Sequence, residues 1–109
     1  MKEIHCEHYT IRCGQNSSEN DLLIGQSHQD DLWFHLDKMS SPHVVISKKQ
    51  RDYVITTDDI YTAANMVKDN SKARYFNKIY VISTNIKKLK KTGVKGEVNI
   101  VGKVERYLV

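Results

Sequence analysis

Short apolar runs dominate the chain, and most of them have the period of a strand rather than of a helix. Glu3 to Arg12 alternates in part between polar and apolar residues and predicts one or two short strands. Leu32-Trp33-Phe34-His35-Leu36 predicts another, with Leu32, Phe34 and Leu36 on one face and Asp31, Trp33, His35 and Asp37 on the other. A turn over Met39-Ser40-Ser41-Pro42 leads into the β-branched run His43-Val44-Val45-Ile46. Tyr53-Val54-Ile55 predicts a short extended piece, and Lys78-Ile79-Tyr80-Val81-Ile82 a full strand. Glu97–Val101 and Val104–Leu108 flank Gly102-Lys103, which predicts a hairpin between them.

Two segments carry helical signals. Ser18 has the look of an N-cap, with Glu19 and Asp21 in the first turn, Leu22 to Ile24 as an apolar side and Gly25 as the end. The main helix is predicted from Thr57 to Asn70. Thr57 serves as its N-cap, and Ile60, Ala63, Ala64 and Val67 form one stripe at i, i+3, i+4 and i+7. Asn85 to Thr92 reads as a Lys-rich loop or short helix. The predicted class is α+β, a single domain over residues 1–109. An antiparallel or mixed sheet is expected, with one main helix and one short helix.

Length and composition change this picture little: 109 residues suit one domain, and 39% hydrophobic with 28% charged residues suits a globular one. No apolar run approaches the ~20 residues of a membrane-spanning helix. Met1 to His5 has no signal-peptide-like apolar stretch, so the cytoplasm or nucleus is the expected compartment. The two cysteines, Cys6 and Cys13, are too few for a disulfide framework and read as packing residues. His5, Cys6, His8 and Cys13 form the alternative, a metal site. Strand alternation separates His5 from Cys6 and His8, and paired C-x2-C spacing is absent, so no metal or other cofactor is expected.

Charge adds more. The net charge is +4, but its distribution is uneven: seven acids against two bases from Met1 to Asp37, and seven bases against two acids from Ile86 to Arg106. A basic end of this kind attracts polyanions.

The densest chemistry lies in Asp30, Asp31, Trp33, His35, Asp37, Ser41 and His43. Two readings compete. In one, Trp33, His35 and His43 stack on bases while Lys87, Lys88, Lys90, Lys91 and Lys95 hold phosphates, as suits single-stranded or looped RNA. In the other, Asp31, His35 and His43 make a metal-dependent hydrolase site. Against the second, there is no H-x-E or H-x-x-x-H spacing, nucleophile elbow, P-loop or dinucleotide fingerprint. A third reading is a protein-interaction adaptor, with Trp33 as its anchor.

Asp31-Leu32-Trp33-Phe34-His35 followed by Pro42-His43-Val44-Val45-Ile46 resembles the signature of the NFACT-R domain family, also called DUF814. The resemblance extends to Gly14–Asp21, including Asn20 before Asp21. It also covers the Ala63-Ala64 helix leading to Ser71-Lys72-Ala73, and the basic loop from Lys88 that closes on Gly96-Glu97-Val98. It therefore runs from about Gly14 to the C-terminus. It implies a non-enzymatic, cytoplasmic RNA-binding module of the short single-domain form. The family's larger members act in ribosome-associated quality control, so the partners implied are tRNA or ribosomal RNA, the ribosome, or a translation factor. Asp31 is expected to orient His35 or a turn backbone, and Asn20 to play a structural part. The family's Gly-Ser-His turn is Ser41-Pro42-His43 here, and Pro42 removes both a hydroxyl and a backbone donor.

Overall fold

The computed structural model describes all 109 residues. Eight strands and two α-helices follow in the order β1 (Lys2–His5), β2 (Tyr9–Cys13), α1 (Ser17–Gln26), β3 (Leu32–Leu36), β4 (Val44–Lys48), α2 (Thr57–Asp69), β5 (Tyr80–Asn85), β6 (Leu89–Lys91), β7 (Val98–Ile100) and β8 (Glu105–Leu108). Six strands form one sheet in the order β1-β2-β4-β3-β5-β8, with every neighbouring pair antiparallel. The fold is α+β, as the strand and helix patterns predict.

Alternation along the inner strands sends two apolar sets to opposite faces. Ile11, Cys13, Phe34, Leu36, Val44, Ile46 and Val81 face α2 and are buried with its stripe residues Ala63, Ala64 and Val67. The two alanines let the helix lie close on the sheet. Trp33, Val45 and Ile82 point the other way and are buried with Leu23 and Ile24 of α1, and with Ile86 and Leu89 before and in β6. The sheet is thus covered on both sides, not by one helix on one side.

The α2 N-terminus is a capping box one residue earlier than expected. Asp59 N–H donates to Thr56 Oγ1 (3.2 Å), and Thr56 N–H donates to Asp59 Oδ2 (2.9 Å). The Tyr9 and Tyr53 hydroxyls each donate to the same carboxylate at 2.6 Å. Burial opposes ionisation of Asp59, but these hydrogen bonds outweigh it and hold its pKa at about 2.

Three further expectations are corrected. Asn16, not Ser18, caps α1 by accepting from Glu19 N–H (2.9 Å), and the helix continues through Gly25 to Gln26. Tyr53 to Ile55 forms no strand. The segments around Gly102 do not pair with each other: β7 pairs with β6, and β8 pairs with β5. The reason is tertiary. A local hairpin there would leave β5 an open edge and the α1 face short of cover. The β6–β7 pair instead lays Leu89, Val98 and Ile100 over the Trp33 face.

Candidate nucleic-acid interface

The β6–β7 hairpin stands over one end of the sheet, and between the two lies an open cavity of about 620 Å³. Its floor holds Trp33, His35 and His43, and its rim holds Lys38 and Lys95, with Glu97 as the one carboxylate in the wall. Two glycines set its shape. Gly96 has φ +79°, and a Cβ there would lie 2.9 Å from the Ser17 carbonyl oxygen, so only glycine lets the hairpin loop meet α1 this closely. A Cβ on Gly14 would lie 2.2 Å from Asn20 Oδ1. Asp21 of α1 completes the junction through Lys91 Nζ (3.3 Å) and the Gly96 N–H (3.5 Å). The Lys91 hydrogen bond is the main cause of its lowered pKa.

The three aromatic side chains of the signature are locked together. Trp33 Nε1–H donates to His43 Nδ1 (3.1 Å). The Trp33 and His35 rings stack at 5.6 Å and 16°, and the His35 and His43 rings meet edge-on at 5.2 Å. Trp33 is 1% exposed and His43 3% exposed. An open stacking platform is therefore not what Trp33 supplies: it forms the rigid floor, and His35 is the partly exposed member.

The hydrogen bonds fix both tautomers. A carbonyl only accepts, so His35 Nδ1, 2.6 Å from the Leu36 oxygen, carries its proton and leaves Nε2 bare. His43 Nδ1 accepts from Trp33 and leaves Nε2–H. Burial lowers both histidine pKa values, that of His43 to about 4 with a further push from His35. At neutral pH the wall thus presents one neutral acceptor and one neutral donor, neither with a partner in the protein. Positive charge at the site comes from lysine alone.

Asn20 holds the backbone of His43: its Oδ1 accepts the His43 N–H (3.1 Å). Ser41 Oγ accepts from Leu36 N–H (3.0 Å) and donates to the Pro42 oxygen (3.0 Å), closing the turn that Pro42 stiffens. Asp31 lies at the other end of β3, four residues or roughly 13 Å from His35. Its buried carboxylate accepts from His28 N–H (2.9 Å), Lys48 N–H (3.2 Å) and Arg51 (3.1 Å). It orients a turn backbone and not His35, and the trio of Asp31, His35 and His43 is not assembled.

The basic segment divides. Lys87 pairs with Asp30 (3.8 Å) and Lys91 with Asp21 (3.3 Å), whereas Lys88 and Lys90 are exposed and unpaired. Lys95 reaches the cavity. Lys38, in the left-handed region at φ +62°, is a rim residue that the sequence pattern did not single out. Its only signal was its place just after the signature strand.

A family model described as the NFACT protein RNA binding domain matches residues 3–107. Coiled-coil domain-containing protein 25 of Mus musculus is 35% identical over 86 residues, covering 73% of this chain and 41% of that protein. The Rqc2 homolog RqcH of Streptococcus suis is 36% identical over 88 residues, covering 78% of this chain and 15% of that protein. Among solved structures, the C-terminal part of the fibronectin/fibrinogen-binding protein from Streptococcus suis aligns with a TM-score of 0.74 at 30% identity, over 96% of this chain and 48% of that one. The chain thus spans less than half the length of each of these relatives.

Proposed function

Because this chain belongs to the family of NFACT protein RNA-binding domains, we propose that it is an RNA-binding module that takes an unpaired base into the cavity between β3–β4 and β6–β7. The observation that carries the reading is the fixed pair of neutral histidines. An acceptor on His35 and a donor on His43, in a partly apolar cavity, complement the edge of a base splayed from a loop or single strand. Lys95 and Lys38 at the rim, and Lys88 and Lys90 on the outer hairpin, supply phosphate contacts. Lys87 and Lys91 are secondary because each already has a carboxylate partner.

The RNA we assign is tRNA or ribosomal RNA, with the ribosome or a translation factor in the cytoplasm as the setting. The kinship to the Rqc2 homolog RqcH supports this context. Crosslinking from cells separates the possibilities: recovery of tRNA or ribosomal RNA supports the assignment, and recovery of proteins alone favours an adaptor.

Binding itself is tested by fluorescence anisotropy with a labelled, unstructured RNA over a salt series. Each lost phosphate contact flattens the log–log salt slope by about 0.7. Lys88→Glu with Lys90→Glu, which disturbs no ion pair, is expected to weaken binding strongly and flatten the slope by more than one such step. A double variant with wild-type affinity and slope removes the hairpin face from the interface. A wild-type protein that binds no RNA at about 50 mM salt overturns the reading.

A further inference from the structure

A second hollow, of about 270 Å³, adjoins the cavity and shares Ser17 and Ser40 with it. Nothing in the sequence pattern singled it out. Three segments distant in sequence build it: the start of α1, the β3–β4 turn and the turn after α2. Its lining contains no carboxylate, and Pro42 is its one apolar side chain. Lys72 stands at its edge, exposed and without an ion-pair partner.

Asn20 lies in the wall, only 9% exposed. Its oxygen is taken by the His43 N–H (3.1 Å), but its NH2 group donates to nothing in the protein. The Ser17 N–H, in the first turn of α1, also lacks an acceptor, and the helix dipole favours an anion there. A lysine, an amide NH2 with no partner in the protein, serine hydroxyls and a free helix N–H, with no competing carboxylate, are complementary to a phosphate oxygen.

We propose that this hollow is a phosphodiester site, holding the phosphate next to the base that occupies the adjoining cavity. The inference rests on the RNA-binding reading above and extends it from the hairpin lysines to a site on the opposite side of the signature strand's turn. Base and phosphate are neighbours in one nucleotide, and the two hollows are neighbours through Ser17 and Ser40. Asn20 then serves both: its oxygen positions His43 for the base, and its NH2 faces the phosphate.

The test uses the full chain and a labelled, unstructured decaribonucleotide, with thermal unfolding as the check on folding. Lys72→Gln is expected to weaken binding about tenfold and flatten the salt slope by about 0.7. Asn20→Asp keeps the acceptor for His43 but replaces the donor with a charged oxygen, and it is expected to weaken binding further. Lys49→Gln, just past the far end of β4, is expected to change neither. Amide shifts at Ser17 and Lys72 that appear with the RNA, and not with inorganic phosphate at equal phosphate concentration, support the proposal. Equal shifts with both make the hollow a generic anion site and overturn the link to the cavity. If folded Lys72→Gln binds with wild-type affinity and slope, the phosphate site is wrong while the hairpin interface stands. If the wild type binds no RNA, both readings fall.

Discussion

Trp33 and His43 meet through one buried hydrogen bond, and this bond decides what each residue can do. With its nitrogen committed and its ring covered, Trp33 fixes the position of the histidines and leaves ligand contact to them. The neutrality of His43 has a consequence for stability. Its pKa of about 4 in the fold lies below the ordinary value of 6.5, so the unfolded chain takes up its proton first as pH falls. The fold therefore keeps its full stability above about pH 6.5 and loses up to about 3 kcal/mol through this group as pH falls towards 4. His35, shifted in the same direction by burial, adds to the loss. Asp59 acts in the same direction but at lower pH: its contribution is intact above its ordinary value of 3.8 and disappears as pH falls through about 2. Urea unfolding of the wild type and His43→Gln between pH 7 and 4.5 checks this. The difference between the two should shrink as pH falls, and a pH-independent difference would exclude a buried neutral His43.

At the scale of elements, the site depends on how α1 and the β6–β7 hairpin meet. Asp21, expected as a helix-start acid, is instead the post to which the hairpin is tied through Lys91 and Gly96. Gly96 is the tightest point, with a positive φ and the Ser17 backbone within van der Waals reach. Gly96→Ala is expected to destabilise the fold by about 1–3 kcal/mol. It should also move amide resonances along β6–β7 and at Ser17 while leaving those of α2 in place. Unchanged melting and an unchanged spectrum would mean that the hairpin loop does not need its contact with α1. Helix α2 was easier to read because its stripe, its cap and its first-turn acids all lie within one continuous segment. The cap position moved from Thr57 to Thr56, because Asp59 could close a reciprocal box with Thr56 alone, and the helix ends at Asp69 with Asn70 as its C-cap.

Across the whole molecule, the two faces of the sheet are covered unequally. The α2 face buries a contiguous core of twelve residues, whereas seven form the other, partly under a hairpin with three residues in each strand. Stability should follow that division. Hydrogen exchange is expected to be slowest for amides of β3, β4 and β5. For β6 and β7 it should be faster by more than tenfold, through opening of the hairpin without global unfolding. Equal protection in both sets would show that the hairpin opens only with the whole domain. A cavity roofed by the less stable layer can open for a ligand without cost to the main core.

The sequence by itself determined the central strands, the long helix and the identity of the signature residues, because period-2 and period-3.6 patterns are local and each lies within one segment. Asp31, Trp33, His35 and His43 all stand out in it, and so do the hairpin lysines. Only the tertiary structure decided what they do. It buried Trp33, because the face opposite Phe34 is a second core and not a wet surface. It drew Asp31 away from the histidines to hold a distant turn. It split the Gly102 hairpin, because pairing with β5 and β6 closed an edge and covered a face, which local pairing could not. And it brought Ser17, Asn20, Ser40 and Lys72 around one hollow, an arrangement with no sequence period because its parts come from a helix start and two separate turns.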